Sequence, residues 1–250
     1  MKIGFLITAR MKSTRLPKKL ILKIKDKEAI VWMIDRLKQC ELLDEIIIAT
    51  STNSQDDILC DIAKKENIRC FRGSEDDVLE RLYQASKSYK LDYIINATGD
   101  CILVAIDFIK DIVNEYKQTK ADLITCFKLP HGLYLYGIKI NAIKKILEVK
   151  NDIDTEVWGR YFTDTGLFKV IDLEVLKELQ RKKYRLTLDY PEDYEFLKAV
   201  FDGLGKDTYK KSSKEIIKFL DEHPDIVKIN ERCEKKGLER IKKQAKLVLK

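Results

Sequence analysis

Residues 7–19 read ITARMKSTRLPKK, directly after the start of the apolar run Ile3-Gly4-Phe5-Leu6-Ile7. A run without polar side chains, too short for a helix, predicts a buried strand. After Thr8 the pattern breaks. Arg10, Lys12, Arg15, Lys18 and Lys19 follow, punctuated by Ser13, Thr14 and Pro17. A strand that ends in such a loop brings several cations to one sheet edge and leaves its backbone N–H groups free there. Arg supplies a rigid fork of donors and Lys a compact point charge, a combination suited to a polyphosphate. A solvated basic loop is the plainer alternative, and composition alone does not separate the two.

Outward from this loop, strands and helices alternate. Ile30, Val31, Ile34 and Leu37 recur at helical spacing within residues 28–40, and residues 45–50 (EIIIAT) read as a buried strand. Residues 55–66 predict a helix with Asp56 and Asp57 in its first turn, where acids favour the dipole. A short strand over 68–71, a helix over 75–89 and a fourth strand over 92–98 (DYIINAT) come next. Later segments are less regular: 123–127, an antiparallel-like alternation over 133–140 (LYLYGIKI), 168–173 and 184–188, then helices over 191–201 and 213–222. The expected fold class is α/β, a mixed and mainly parallel sheet with helices on both faces. Ligands in such sheets lie beyond the carboxyl ends of the strands, where the basic loop and Gly99-Asp100 fall.

The 250 residues suffice for one large domain, or a domain with a small appendage. With 45% hydrophobic residues a core is available, and the net charge of +7 is too modest to indicate nucleic acid. The basic residues gather around one phosphate-sized site and not along a face, which argues the same way. Cys40, Cys60, Cys70, Cys101, Cys126 and Cys233 form no CxxC pair and no zinc spacing, so reduced, mostly buried thiols in a cytoplasmic protein are expected. No leader pattern opens the chain and no apolar run approaches about 18 residues, so neither export nor a membrane span is expected.

Two carboxylates stand out. Asp100 follows the fourth strand after Gly99, well placed to hold Mg²⁺, although a loop-capping aspartate is a plainer explanation. Asp189 precedes Pro191-Glu192-Asp193, where it either N-caps the next helix or serves as a second oxygen ligand. Asp193 is read as a first-turn dipole residue. His131 and His223 are the only histidines, and neither lies in a catalytic motif.

The segment Ala9-Arg10-Met11-Lys12-Ser13-Thr14-Arg15-Leu16-Pro17-Lys18-Lys19 resembles the signature loop of the cytidylyltransferases that make CMP-activated sugar acids. The branch it resembles makes spore-coat polysaccharide and is related to the CMP-Kdo and CMP-sialate synthetases. Residues 70–81 (CFRGSEDDVLER), Gly99-Asp100 and 185–193 (RLTLDYPED) resemble further family segments. The resemblance runs from about residue 3 to 230. It implies a Rossmann-like nucleotide-diphosphosugar transferase fold, with a nucleotidyltransferase domain over 1–230 and a basic helix over 231–250. It implies transfer of CMP from CTP to a small sugar-acid or phosphorylated acceptor, with Mg²⁺ as cofactor and pyrophosphate released. Arg10, Arg15 and Lys19 would bind phosphates, Asp100 and Asp189 the metal, and Ala9, Ser13, Thr50, Ser74, Arg81 and Thr98 the nucleotide. Thr50-Ser51-Thr52-Asn53 would face the base or ribose.

Two departures lie toward the acceptor side. Relatives commonly read G-D-C-P-L-I-D-P where this chain has Ile102-Leu103-Val104-Ala105-Ile106 after Cys101, and they carry acids where it has Tyr134 and Tyr136. Loss of those acids would relax the exclusion of an anionic acceptor such as a phosphate monoester. The alternative class is a metal-dependent glycosyltransferase, or a non-catalytic nucleotide-sugar-binding protein of the same fold. Against the former, Cys101 and Ile102 follow Asp100, leaving no Asp-x-Asp. For the tail, with Leu238, Ile241, Ala245 and Val248 at 3-4-3 spacing, packing on the same domain is preferred over self-association into a homodimer.

Overall fold

In the computed structural model, which describes residues 1–245 and 247–250, seven strands form one sheet. They are β1 (Ile3–Thr8), β2 (Glu45–Ser51), β3 (Arg69–Gly73), β4 (Tyr93–Thr98), β5 (Leu123–Thr125), β6 (Tyr136–Lys139) and β7 (Val170–Asp172). Their spatial order is β3-β2-β1-β4-β6-β5-β7. Four neighbouring pairs are parallel, and β6 runs antiparallel to both β4 and β5. The sheet is therefore mixed and mainly parallel, with the antiparallel strand where LYLYGIKI placed it. Residues 184–188 form no strand and contribute one isolated bridge, His131 to Arg185.

Alternation along the central strands explains the layers. Ile3, Phe5 and Ile7 of β1, Ile48 of β2 and Tyr93, Ile95 and Ala97 of β4 join one apolar cluster, while Leu6, Ile47 and Ile94 join a second. Successive side chains of a strand point to opposite faces, so each face needs its own cover. The first is covered by α1 (Ala29–Leu37), α2 (Asp57–Lys65), α4 (Ile109–Thr119), α7 (Pro191–Leu204) and α8 (Ser213–Glu222). The second is covered by α3 (Val78–Ser88), α5 (Ile140–Val149) and α6 (Gly159–Thr163). Two further helices, α9 (Pro224–Lys228) and α10 (Glu231–Gln244), close the chain. Among the described residues no helix is long and apolar enough to cross a membrane.

Two details differ from the sequence reading. Cys60 of α2 and Cys70 of β3 form a disulfide with Cα atoms 5.5 Å apart, where reduced thiols were expected. A helix and the strand that follows it pack side by side, so cysteines without a recognised spacing can still meet. Cys40, Cys101, Cys126 and Cys233 are free. The second difference is in the tail. The residues of α10 that bury are Cys233 and Gly237, and Leu238 of the 3-4-3 stripe is 47% exposed. A Cβ on Gly237 would stand 2.8 Å from an Arg185 nitrogen, so the missing side chain lets this helix lie against a buried guanidinium. Ala245 and Val248 lie beyond the end of the helix.

Candidate active site

β1 and β4 are neighbours, yet the chain between them first crosses away to build β2 and β3. Their carboxyl ends therefore open a crevice at the point where strand order reverses, the usual ligand position in open α/β sheets. Thr8 pairs in register with Thr98, and Gly99 N donates to Thr8 O at 2.9 Å. A Cβ on Gly99 would meet Ala9 Cβ at 3.3 Å, a tight contact, so the two strand ends approach closely here. The pocket at these strand ends has a volume of about 330 Å³, within the range of small-ligand sites. Ala9, Arg10, Ser13, Arg15, Lys19, Thr98 and Asp100 line it.

The loop presents side chains more than amides. Ala9 N donates to Ala49 O at 3.3 Å, Met11 N to Asp56 Oδ1 at 2.7 Å and Ser13 N to Met11 O at 2.9 Å. The expectation of free N–H groups therefore fails at these three positions. Asp56, read from sequence as a dipole residue, is fully buried and also accepts from Ser51 Oγ at 2.5 Å. It anchors the basic loop to β2, a role that local sequence pattern does not announce.

Lys19 joins the two carboxylates. Its Nζ donates to Asp189 Oδ1 at 2.7 Å and hydrogen-bonds Asp100 Oδ2. Burial alone would lower the Lys19 pKa, but the two carboxylates more than offset this and the net shift is upward. Burial would raise Asp189, whereas Lys19 and Arg15 hold its carboxyl far below the usual range. Arg15 Nη2 donates to Asp189 Oδ1 at 2.7 Å. Carboxylate oxygens that share one ammonium are close enough to share one cation, and hard oxygen donors suit Mg²⁺. Among the described residues no cluster of three or more His, Cys, Asp or Glu could hold a metal. The pair fits an ion that draws its remaining ligands from water and phosphate, the common Mg²⁺ arrangement.

Beneath Asp189 lies a buried ion network. Arg185 Nη2 donates to Asp189 Oδ2 at 3.1 Å, Nε to Asp193 Oδ1 at 3.0 Å and Nη1 to Glu234 Oε2 of α10 at 3.1 Å. Asp193 Oδ2 accepts from Asp189 N and Tyr190 N, both at 3.0 Å, and closes the capping box of α7. Tyr190, not Asp189, is the cap residue. The buried Asp189 carboxylate is held by Lys19, Arg15 and Arg185 just behind the pocket lining, which Asp100 joins and Asp189 does not. Cys101, next to Asp100, has its thiol pushed up to about 12 by burial and the neighbouring charge, so it is no thiolate nucleophile at neutral pH.

The remaining wall comes from segments the sequence reading left aside. Asp154, Glu156 and Trp158 line the pocket, together with Arg240 and Gln244 of α10. Thr155 fixes that loop: its N donates to Asp76 O at 3.1 Å and its Oγ1 to Asp77 Oδ1 at 2.9 Å. Glu156 Oε2 accepts from Arg10 Nη2 at 3.1 Å, and Glu156 Oε1 lies 3.5 Å from Arg240 Nη1.

Thr50, Ser74 and Arg81 do not line the pocket. Thr50 is fully buried in β2, Ser74 Oγ accepts from Asp77 N at 3.1 Å, and Arg81 Nη1 donates to the carbonyls of Ser74 and Glu75. Since Arg10 Nη1 donates to Glu75 O at 2.6 Å, Arg81 supports the turn that Arg10 grips. Tyr134 and Tyr136 are also outside the lining. Tyr134 stacks on His131 at 5.5 Å and Tyr136 meets the Trp158 ring edgewise at 5.0 Å, so both serve an aromatic cluster behind the wall.

A family model described as Cytidylyltransferase matches residues 5–216, most of the chain. The chain belongs to the cytidylyltransferase family. As a member it is a CTP-dependent nucleotidyltransferase. This cytidylyltransferase is 34% identical over 242 residues to the uncharacterized protein MJ1063 of Methanocaldococcus jannaschii, covering 95% of this chain and 98% of that one. It is 31% identical over 232 residues to the spore coat polysaccharide biosynthesis protein SpsF of Bacillus subtilis, covering 89% and 95%. Among solved structures, a cytidylyltransferase from Leptospira borgpetersenii superposes with a TM-score of 0.83 at 30% identity, covering 91% of this chain and 97% of that one. The resemblance carried by the loop thus extends along nearly the whole cytidylyltransferase.

Proposed function

We propose that the enzyme transfers CMP from CTP to a small sugar-acid or phosphorylated acceptor and releases pyrophosphate, in the biosynthesis of a surface polysaccharide or glycoconjugate. The observation that carries this reading is the meeting of Asp100 and Asp189 on Lys19 at the mouth of the basic loop. Its likeness to SpsF supports the polysaccharide setting.

In the step proposed, an acceptor oxygen bonds to the α-phosphorus as the bond to the α,β-bridging oxygen breaks. A CMP-linked product and pyrophosphate result, and a hydroxyl proton, where the acceptor has one, passes to solvent. Arg10, Arg15 and Lys19 place positive charge around the phosphates, so the charge of the crowded transition state and of the leaving group is stabilised. Ala9, Ser13 and Thr98 bound the nucleotide, while Thr50, Ser74 and Arg81 hold the turn and strand behind it. Asp100 and Asp189 would hold Mg²⁺, which supplies further charge stabilisation when bound. A glycosyltransferase finds less support, since Cys101 and Ile102 after Asp100 are both buried and neither is a second acidic ligand.

Incubation with CTP, Mg²⁺ and a panel of sugar acids and sugar phosphates, followed by pyrophosphate detection, tests the reaction. Pyrophosphate release that depends on both CTP and an acceptor is the expected result. Hydrolysis of a CMP-sugar without pyrophosphate release would favour the alternative.

A further inference from the structure

We propose that α10 forms the acceptor side of the pocket and that Arg240 binds an anionic group of the acceptor, with Glu156 setting its guanidinium. The inference rests on the cytidylyl-transfer reading and names the part of the same site that selects the second substrate.

The helix is tied to the site at two places. Glu234 takes Nη1 of Arg185, whose Nη2 holds Asp189. Arg240 lies six residues later, about 9 Å along a helix that rises 1.5 Å per residue, and meets Glu156, which in turn holds Arg10. α10 therefore runs from the buried Arg185 network to the pocket, whose wall its Arg240 and Gln244 join. Gly237, between these anchors, is buried and lets the helix lie close.

The chemistry of this wall differs from that of the loop. Arg10, Lys12, Arg15 and Lys19 present cations, whereas the facing segment presents Asp154, Glu156, Trp158, Arg240 and Gln244. Carboxylates here would repel a triphosphate but accept hydrogen bonds from hydroxyl groups. An indole beside them can lie against the apolar face of a sugar. Arg240 is the one cation on this wall among the described residues, and its fork matches a carboxylate or phosphate. The protein does not saturate it. Its side chain is 26% exposed, its contact with Glu156 is a long 3.5 Å, its firm bond is to Gln244 Oε1 at 2.7 Å, and its buried Nε has no partner among the described residues. This wall thus carries two acids, at 154 and 156, together with one positive charge. The acceptor class this wall fits is a polyol carrying one anionic group.

Isothermal titration of wild-type enzyme, R240A and R240K tests the assignment. The probes are 3-deoxy-manno-octulosonate, N-acetylneuraminate and glucose 1-phosphate, with mannose as the neutral control and CTP titrated separately. We expect at least one anionic probe to bind the wild type and mannose not to bind. R240A should weaken that anion by about tenfold or more, with R240K in between, because a charge-assisted fork is lost and then partly restored. The CTP dissociation constant should stay within about twofold, and in turnover the loss should appear in the acceptor KM and not in the CTP KM. The carboxylate and phosphate probes tell which anion is meant. Equal weakening of CTP, an unchanged anion affinity in R240A, or no anionic probe bound by the wild type would each overturn the proposal. Failure of CTP to bind the wild type would remove the transfer reading instead, and the anion comparison would still stand. Should R240A not fold, R240K and R240Q provide the same comparison.

Discussion

Arg185 and Asp189 stand four residues apart and are bonded at 3.1 Å, with the guanidinium fully buried and the other carboxylate oxygen held by Lys19 and Arg15. The same guanidinium holds Asp193 and Glu234. One cation thus orders a candidate ligand, the cap of α7 and the docking of α10. Replacing Arg185 by Met would leave three acids without their common partner. We expect a loss of about 3–5 kcal/mol in stability, the usual cost of breaking a buried ion pair from one side. Urea unfolding of the variant measures it, and a loss below about 1 kcal/mol would mean that the network contributes little net energy.

Asp100→Asn and Asp189→Asn should each abolish turnover while keeping the fold. Each replaces a charged carboxylate by a neutral amide that holds a divalent ion far less well, and metal-assisted charge stabilisation is worth several kcal/mol. Chelation of divalent ions should silence the wild type in the same way. Near-native rates from either variant in Mg²⁺ would exclude that residue as a ligand.

CTP should stabilise the protein more than ATP or GTP. At a concentration about 100 times its Kd, a ligand that binds only the native state adds about 2.7 kcal/mol. Thermal melts with each nucleotide plus Mg²⁺ make the comparison. Equal shifts with ATP would argue against selection for cytosine.

The capping box at the start of α8 gives a pH prediction. Backbone and side-chain hydrogen bonds from Ser212, with a further one from Lys211, lower the Glu215 pKa to about 2 in the folded protein. The folded value lies below the unfolded one, so the stabilisation is present above the unfolded pKa of about 4.3 and is lost as pH falls toward about 2. Wild type should exceed E215Q in urea midpoint at pH 7, and the difference should shrink steadily below pH 4. A pH-independent difference would point to shape and not charge.

The position of the basic loop and of Gly99-Asp100 at the strand ends was legible from local residue types, whereas the pairing of Asp100 with Asp189 was implied by the family resemblance. The strands around them were legible for the same reason, as β1, β2 and β4 are continuous apolar runs. Asp56 was misread because its position in a helix start offers a sufficient local explanation, while its real partner, Met11 N, lies 45 residues earlier. Glu156 and Arg240 were missed for a related reason. Glu156 lies 146 residues from Arg10 and 84 from Arg240, in a stretch with no periodicity. Tyr134 and Tyr136 were assigned to the acceptor by alignment, but burial against His131 and Trp158 claimed them first.

Residues 7–19 contain no glycine, and Asp56 explains how that is tolerated. Phosphate loops built on backbone amides need glycines so that the chain can curl around the anion. Here the Met11 amide is bound by a buried carboxylate, and the Ala9 and Ser13 amides by carbonyls, so in the proposed function the phosphates would meet the ends of long side chains. The path of the chain is set by the buried carboxylate of Asp56 and by β2, while the cations at the tips also tie the loop to Glu156, Asp100 and Asp189.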